Sequence, residues 1–134
     1  MFTRFYTGKH ALVIALALIF ACSSRMVREG AYPSGQPNYH IETDASGHEQ
    51  GRETWWYDNG VKEYEALNDH GARNGVFRAW YRNGLPWYRG CEDHGMAQDS
   101  LIYWRPNGKL KTIAIFKDGI SIFVQEFDDR QLLY

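Results

Sequence analysis

An Asn-Gly pair returns every 24 residues along this chain, as Asn59-Gly60, Asn83-Gly84 and Asn107-Gly108. Trp56, Trp80 and Trp104 keep the same interval, as do Gly71, Gly95 and Gly119. Small residues recur at Ala66, Gly90 and Ala114, and Asp69-His70 matches Asp93-His94. Gly47 with Gly51 matches Gly71 with Gly75 one period on. A fixed interval of this length indicates stacked supersecondary units that bury their faces on one another. The ends are degenerate, since residues 40–51 form a half repeat and the Asn-Gly is lost after Gly119. Atypical terminal units are expected of repeat arrays.

Asn-Gly between apolar-rich runs is the strongest short hairpin signal, because a type I′ turn needs positive φ at both central residues. With Asn83-Gly84 as a two-residue loop, Trp80 faces Trp87 and Ala79 faces Tyr88. The same register pairs Trp56 with Glu63 and Ile102 with Ile113. The second connection, starting Asp-His-Gly, reads as the longer one. Two strands per repeat give about eight strands, so the expected fold is all-β: a single elongated antiparallel meander.

The period of two along a strand separates two faces. One carries Trp55, Tyr57, Tyr64, Ala66, Phe77, Ala79, Tyr81, Tyr88, Gly90, Leu101, Tyr103, Leu110, Ala114 and Phe116. The other mixes Trp56, Trp80, Trp87, Trp104, Ile102, Ile113 and Ile115 with Glu63, Arg78, Arg89 and Lys111. Aromatic residues are 16% of the chain. Most of them pack across strands, but a one-layer sheet leaves one side open, and exposed aromatic patches mark interaction sites. The candidate binding face is Trp55, Tyr57, Phe77, Tyr81, Tyr88 and Tyr103.

The units resemble the MORN repeat, in the shorter form found in many bacterial proteins. Trp56-Tyr57-Asp58-Asn59-Gly60-Val61-Lys62-Glu63-Tyr64 and Trp80-Tyr81-Arg82-Asn83-Gly84-Leu85 match its pattern. Trp104-Arg105-Pro106-Asn107-Gly108-Lys109-Leu110-Lys111 is a third copy, with Arg105 replacing the second aromatic. The match covers about residues 40–125. The family also places Gly five residues before the aromatic; Gly51 and Gly75 fit, whereas Asp99 and Phe123 depart, so the later units are expected to turn differently. The resemblance implies an elongated meander serving as a scaffold for protein or lipid contact. Some bacterial members are labelled antitoxins, which meet their toxins in the cytosol.

The N-terminal residues point elsewhere. Arg4 and Lys9 precede an uncharged apolar run over 11–21, within the length of a signal core and short of a membrane span. A buried core helix is the alternative reading, disfavoured by charge order and position. The run ends Ile19-Phe20-Ala21-Cys22, which resembles the lipobox of bacterial lipoproteins. That resemblance implies diacylglycerol on the Cys22 sulfur, cleavage before Cys22, and stable anchoring through several acyl chains. Ser23 resembles the outer-membrane sorting class, so the expected location is the outer membrane, facing the periplasm. The expected division is a signal-peptide helix over 1–21, a flexible tether rich in Ser, Gly and Pro over 22–38, and a repeat domain over 39–134. A disulfide between Cys22 and Cys91 is the competing use of the two cysteines.

Leaving out Arg4 and Lys9 takes the 15 Lys+Arg to 13 against 16 Asp+Glu, a net charge of −3. Nucleic acid is excluded as an expected partner, because no basic stripe is available to meet phosphates. No catalytic residue, metal site or cofactor is expected. Asp69-His70 and Asp93-His94 stand two strands apart, roughly 9–10 Å, too far for both imidazoles to reach one metal. Turn residues explain them better, since Asp and His tolerate tight turns beside Gly. Cys91 with His94 lacks a third group, and no Gly-x-Ser-x-Gly, phosphate loop or CxxC occurs. The expected function is a non-enzymatic envelope lipoprotein that binds another envelope protein. The alternatives are an envelope immunity protein and a cell-wall or lipid-binding module.

Overall fold

The computed structural model describes residues 25–128. The signal segment, its expected helix and Cys22 lie outside them. The described chain is all-β: β1 (Met26–Ala31), β2 (Pro37–Thr43), β3 (Glu49–Trp56), β4 (Lys62–Asp69), β5 (Ala72–Arg73), β6 (Gly75–Trp80), β7 (Pro86–Asp93), β8 (Met96–Trp104), β9 (Leu110–Lys117) and β10 (Ile120–Glu126). They form one antiparallel sheet in chain order, an open meander. β5 and β6 are two parts of one strand, broken at Asn74, whose N–H bonds the Leu67 carbonyl at 2.9 Å.

Two kinds of turn close the strands, and their positions are the reverse of the sequence expectation. Each Asn-Gly lies in a three-residue loop, not a two-residue one. Gly60, Gly84 and Gly108 donate back to the carbonyls of Tyr57, Tyr81 and Arg105 at 2.8–2.9 Å. Only the glycine of each pair has positive φ, 80–82°. This is a type I turn followed by a left-handed glycine, the usual three-residue hairpin. The two-residue turns with positive φ at both positions are at the opposite edge: His70-Gly71, His94-Gly95 and Asp118-Gly119. Asp69 pairs directly with Ala72 and Asp93 with Met96 across them.

What Asn supplies is therefore hydrogen bonding. Its Oδ1 accepts from the N–H two residues on: Val61 to Asn59, Leu85 to Asn83, Lys109 to Asn107, at 3.0–3.2 Å. The Nδ2 of Asn59 reaches the Arg82 carbonyl at 3.0 Å, and that of Asn83 the Pro106 carbonyl at 2.9 Å, tying each turn to the next. A second ladder runs beside it. The hydroxyls of Tyr32, Tyr57 and Tyr81 donate to the carbonyls of Trp56, Trp80 and Trp104 at 2.8–3.0 Å, and Arg105 reaches the Phe127 carbonyl at 2.7 Å. Equivalent turns are two strands apart, so only a long side chain with a polar tip spans them.

Tyr32 reveals a further unit. Residues 22–38, expected as a tether, include β1 and a turn in which Gly35 donates to the Tyr32 carbonyl. Tyr32-x-x-Gly35 repeats Tyr57-x-x-Gly60 at an offset of 25 residues, so a strict search at 24 passes over it. At the other end of the units, Gly51 and Gly75 take φ of 114° and 110° at bulges. Asp99 does the same with φ 58°, so this unit bends as the others do despite losing its glycine.

The core lies on one face. Ile41, Ala66, Phe77, Ala79 and Ala114 are buried, and Phe77 is 6% exposed. Phe77 pairs with Gly90, and Leu101 pairs with Ala114. A Cβ on Gly90 would stand 2.5 Å from the Phe77 ring and 2.8 Å from Leu101. Large and small residues alternate across the strands because no second layer covers them among the described residues, so each large side chain lies over a small neighbour. Buried Asn68 is satisfied, donating to Glu49 and Glu53 at 3.2 and 3.0 Å.

Candidate interaction face

One cross-strand row carries most of the candidate face. Tyr39 pairs with Trp55, Trp55 with Tyr64, Tyr64 with Ala79, Ala79 with Tyr88, and Tyr88 with Tyr103. Antiparallel registry places these side chains on one face at neighbouring heights. Ring centroids are 5.1 Å apart for Tyr39–Trp55, 5.7 Å for Tyr88–Tyr103 and 5.9 Å for Phe77–Tyr88.

The six candidates divide by what they touch. Trp55, Tyr88 and Tyr103 are half-buried within this row. Phe77 is core, closed over Gly90, so it cannot serve a partner. Tyr57 and Tyr81 commit their hydroxyls to the turn ladder and act as struts. The turn residues Asn59, Gly60, Asn83, Gly84, Asn107 and Gly108 are exposed at one edge of the sheet, except for half-buried Gly108.

Two residues assigned from sequence to the opposite face belong here. Trp55 pairs with Tyr64 but Trp56 pairs with Lys62, so Glu63 is the extra residue of a bulge. Ala79 pairs with Tyr88 but Trp80 pairs with Pro86, making Trp87 the extra residue one unit on. The sequence pairs Trp80–Trp87 and Trp56–Glu63 are thus absent, whereas Ala79–Tyr88 and Ile102–Ile113 are present. A bulge re-aims the side chains it carries. Trp87 stacks at 4.9 Å from Tyr88 and 5.8 Å from Tyr81. Trp87 and Glu63 join Trp55, Tyr64, Ala79 and Tyr88 around one shallow cavity of about 250 Å³. Strict alternation could not have found this grouping; each three-residue loop here is followed by an extra residue that breaks the alternation.

Burial raises the phenols of Tyr64 and Tyr88 above their ordinary range, with Arg73 opposing the shift at both. Both remain neutral hydroxyls at physiological pH. Cations elsewhere on the sheet are held between a ring and a carboxylate. Arg73 lies 4.8 Å from the Phe77 ring centre and 2.7 Å from Glu92. Lys62 lies 5.4 Å from the Trp80 ring centre and 2.6 Å from Glu65. Arg82 stands over Tyr57 at 5.8 Å and bridges Asp58.

The Asp-His turns hold no metal-ligand set. His70 and His94 bond their own preceding carboxylates, Asp69 and Asp93, at 2.7 and 2.6 Å. His94 Nε2 is 3.4 Å from Asp69. Among the described residues no three His, Cys, Asp or Glu are grouped to hold a metal ion. Cys91 is half-buried in β7 and forms no disulfide among the described residues; the competing pairing with Cys22 lies outside them. Comparison with protein-family models, curated proteins and solved structures gives no match.

Proposed function

We propose that this chain is a non-enzymatic, lipid-anchored envelope protein whose aromatic sheet face binds another protein. The observation that carries the reading is the row Trp55–Tyr64–Tyr88–Tyr103, half-buried on an open one-layer sheet, with Trp87 beside it 41% exposed. Rigid aromatic side chains around a shallow cavity supply apolar area at low entropic cost, and such residues dominate protein interfaces. The lipobox-like Ile19-Phe20-Ala21-Cys22 supports the anchor and the periplasmic side of the outer membrane as its location. The resemblance to bacterial MORN repeats supports a scaffold role.

Two experiments test this. Labelled palmitate should enter the wild-type protein and not Cys22→Ser; equal labelling removes the anchor. After crosslinking in intact envelopes, a partner should be recovered with wild type and lost with Trp87→Ala and Tyr88→Ala, both still folded by circular dichroism. Undiminished recovery with both variants would reject this face as the binding surface.

A further inference from the structure

We infer that the cavity between Glu63, Trp55, Tyr64, Trp87 and Tyr88 receives a basic side chain, arginine or lysine, from the protein partner; the inference rests on the protein-binding reading above. Three times in this sheet a cation is held between an aromatic ring and a carboxylate: Arg73 by Phe77 and Glu92, Lys62 by Trp80 and Glu65, Arg82 by Tyr57 and Asp58. The cavity repeats the arrangement with four aromatic rings and the Glu63 carboxylate; Arg73, paired with Glu92, reaches the Tyr64 hydroxyl at 3.5 Å, but among the described residues no cation pairs with Glu63. Among the described residues the Glu63 carboxylate forms no hydrogen bond and no ion pair. Its charge is felt by the surrounding phenols, Tyr57 and Tyr88, both raised primarily by desolvation and further by Glu63.

The chemistry selects the ligand. Ring faces are electron-rich and attract a cation lying over them, most strongly where water is partly excluded. A half-buried carboxylate without a partner loses hydration and is compensated most strongly by a donor that is also positive. A neutral apolar anchor would fill the cavity but leave Glu63 uncompensated, and an anion would be repelled. The bulges at Glu63 and Trp87 bring both groups to this face in successive units, so the site depends on neighbouring repeats in register.

N-acetyl-arginine methylamide, N-acetyl-lysine methylamide and the neutral N-acetyl-citrulline methylamide serve as probes, titrated into the folded protein and followed through the Trp55 and Trp87 indole signals. Arginine and lysine forms should give saturable shifts at millimolar concentration, and the citrulline form at least tenfold weaker ones. Glu63→Gln should remove that preference without altering the melting temperature by more than a degree or two. Equal response to arginine and citrulline, an unchanged preference in Glu63→Gln, or no saturable shift would each overturn the inference. Crosslinking separates it from the broader reading. Partner recovery retained in Glu63→Gln but lost in Trp87→Ala rejects the cation and keeps the protein face. Cation binding with no partner recovered does the opposite.

Discussion

Single side chains in this protein act mostly by reaching the next unit. Tyr81 is the clearest case, its hydroxyl 2.8 Å from the Trp104 carbonyl. Tyr81→Phe should cost about 1 kcal/mol in urea denaturation, the net value of one hydrogen bond, while Arg105→Tyr should be tolerated because both residues span the same gap. Asn83→Asp keeps the acceptor for Leu85 and loses the donor to Pro106, so it should cost about half of Asn83→Ala. Gly90→Ala should cost roughly 1–3 kcal/mol by driving a methyl into Phe77, and Phe77→Leu in the same chain should recover part of it. His94 tests the Asp-His turns. Its imidazole is pushed above its ordinary value by the hydrogen bond and charge of Asp93, burial opposes this, and Asp69 adds to it. A raised folded value means that the stabilising contribution is complete below the ordinary imidazole range and disappears as pH rises through the raised value. By NMR titration, Asp93→Asn should lower the His94 midpoint more than Asp69→Asn does.

At the scale of the hairpin, the two turn types set two different residue requirements. His70, His94 and Asp118 hold φ of 47–51°, where a Cβ is costly and Asn is better tolerated than most residues. His94→Asn should leave the melting temperature unchanged or higher, whereas His94→Val should lower it by several degrees. Asp99 occupies the bulge position that Gly51 and Gly75 occupy in earlier units. Asp99→Gly should therefore be neutral or stabilise by up to about 1 kcal/mol, and Gly75→Val should destabilise. Either result reversed would mean that the bulges are held by packing and not by backbone conformation.

Across the whole molecule, stability is graded along the meander because each strand hydrogen-bonds only to its neighbours in the sheet. β10 is exposed at every residue, with Ile120, Ile122, Phe123 and Val124 between 50 and 68% accessible. The centre, from β4 to β7, contains Ala66, Phe77, Ala79 and Gly90, all buried. Amide exchange should be fastest in β10 and slowest in β4 to β7. Uniform protection from end to end would indicate that a further element covers β10.

The fold was legible in the 24-residue interval, since Trp80, Asn83 and Gly95 each recur in register and an all-β meander is the arrangement that keeps such residues in columns. The body of the pairing was legible too, as Ala79–Tyr88 and Ile102–Ile113 show. Turn type was not. Asn-Gly is compatible with two-residue and three-residue loops, so the dipeptide alone does not choose between them, and two of the three turns are further tied to the next by an Asn Nδ2 contact between units. That choice inserts one residue per hairpin, and one residue moves Glu63 and Trp87 to the other face. The unit at Tyr32 was hidden by a single-residue offset that matters to a pattern and not to a sheet. Local periodicity thus specified the layer, and only packing between successive units decided which side chains meet around the cavity.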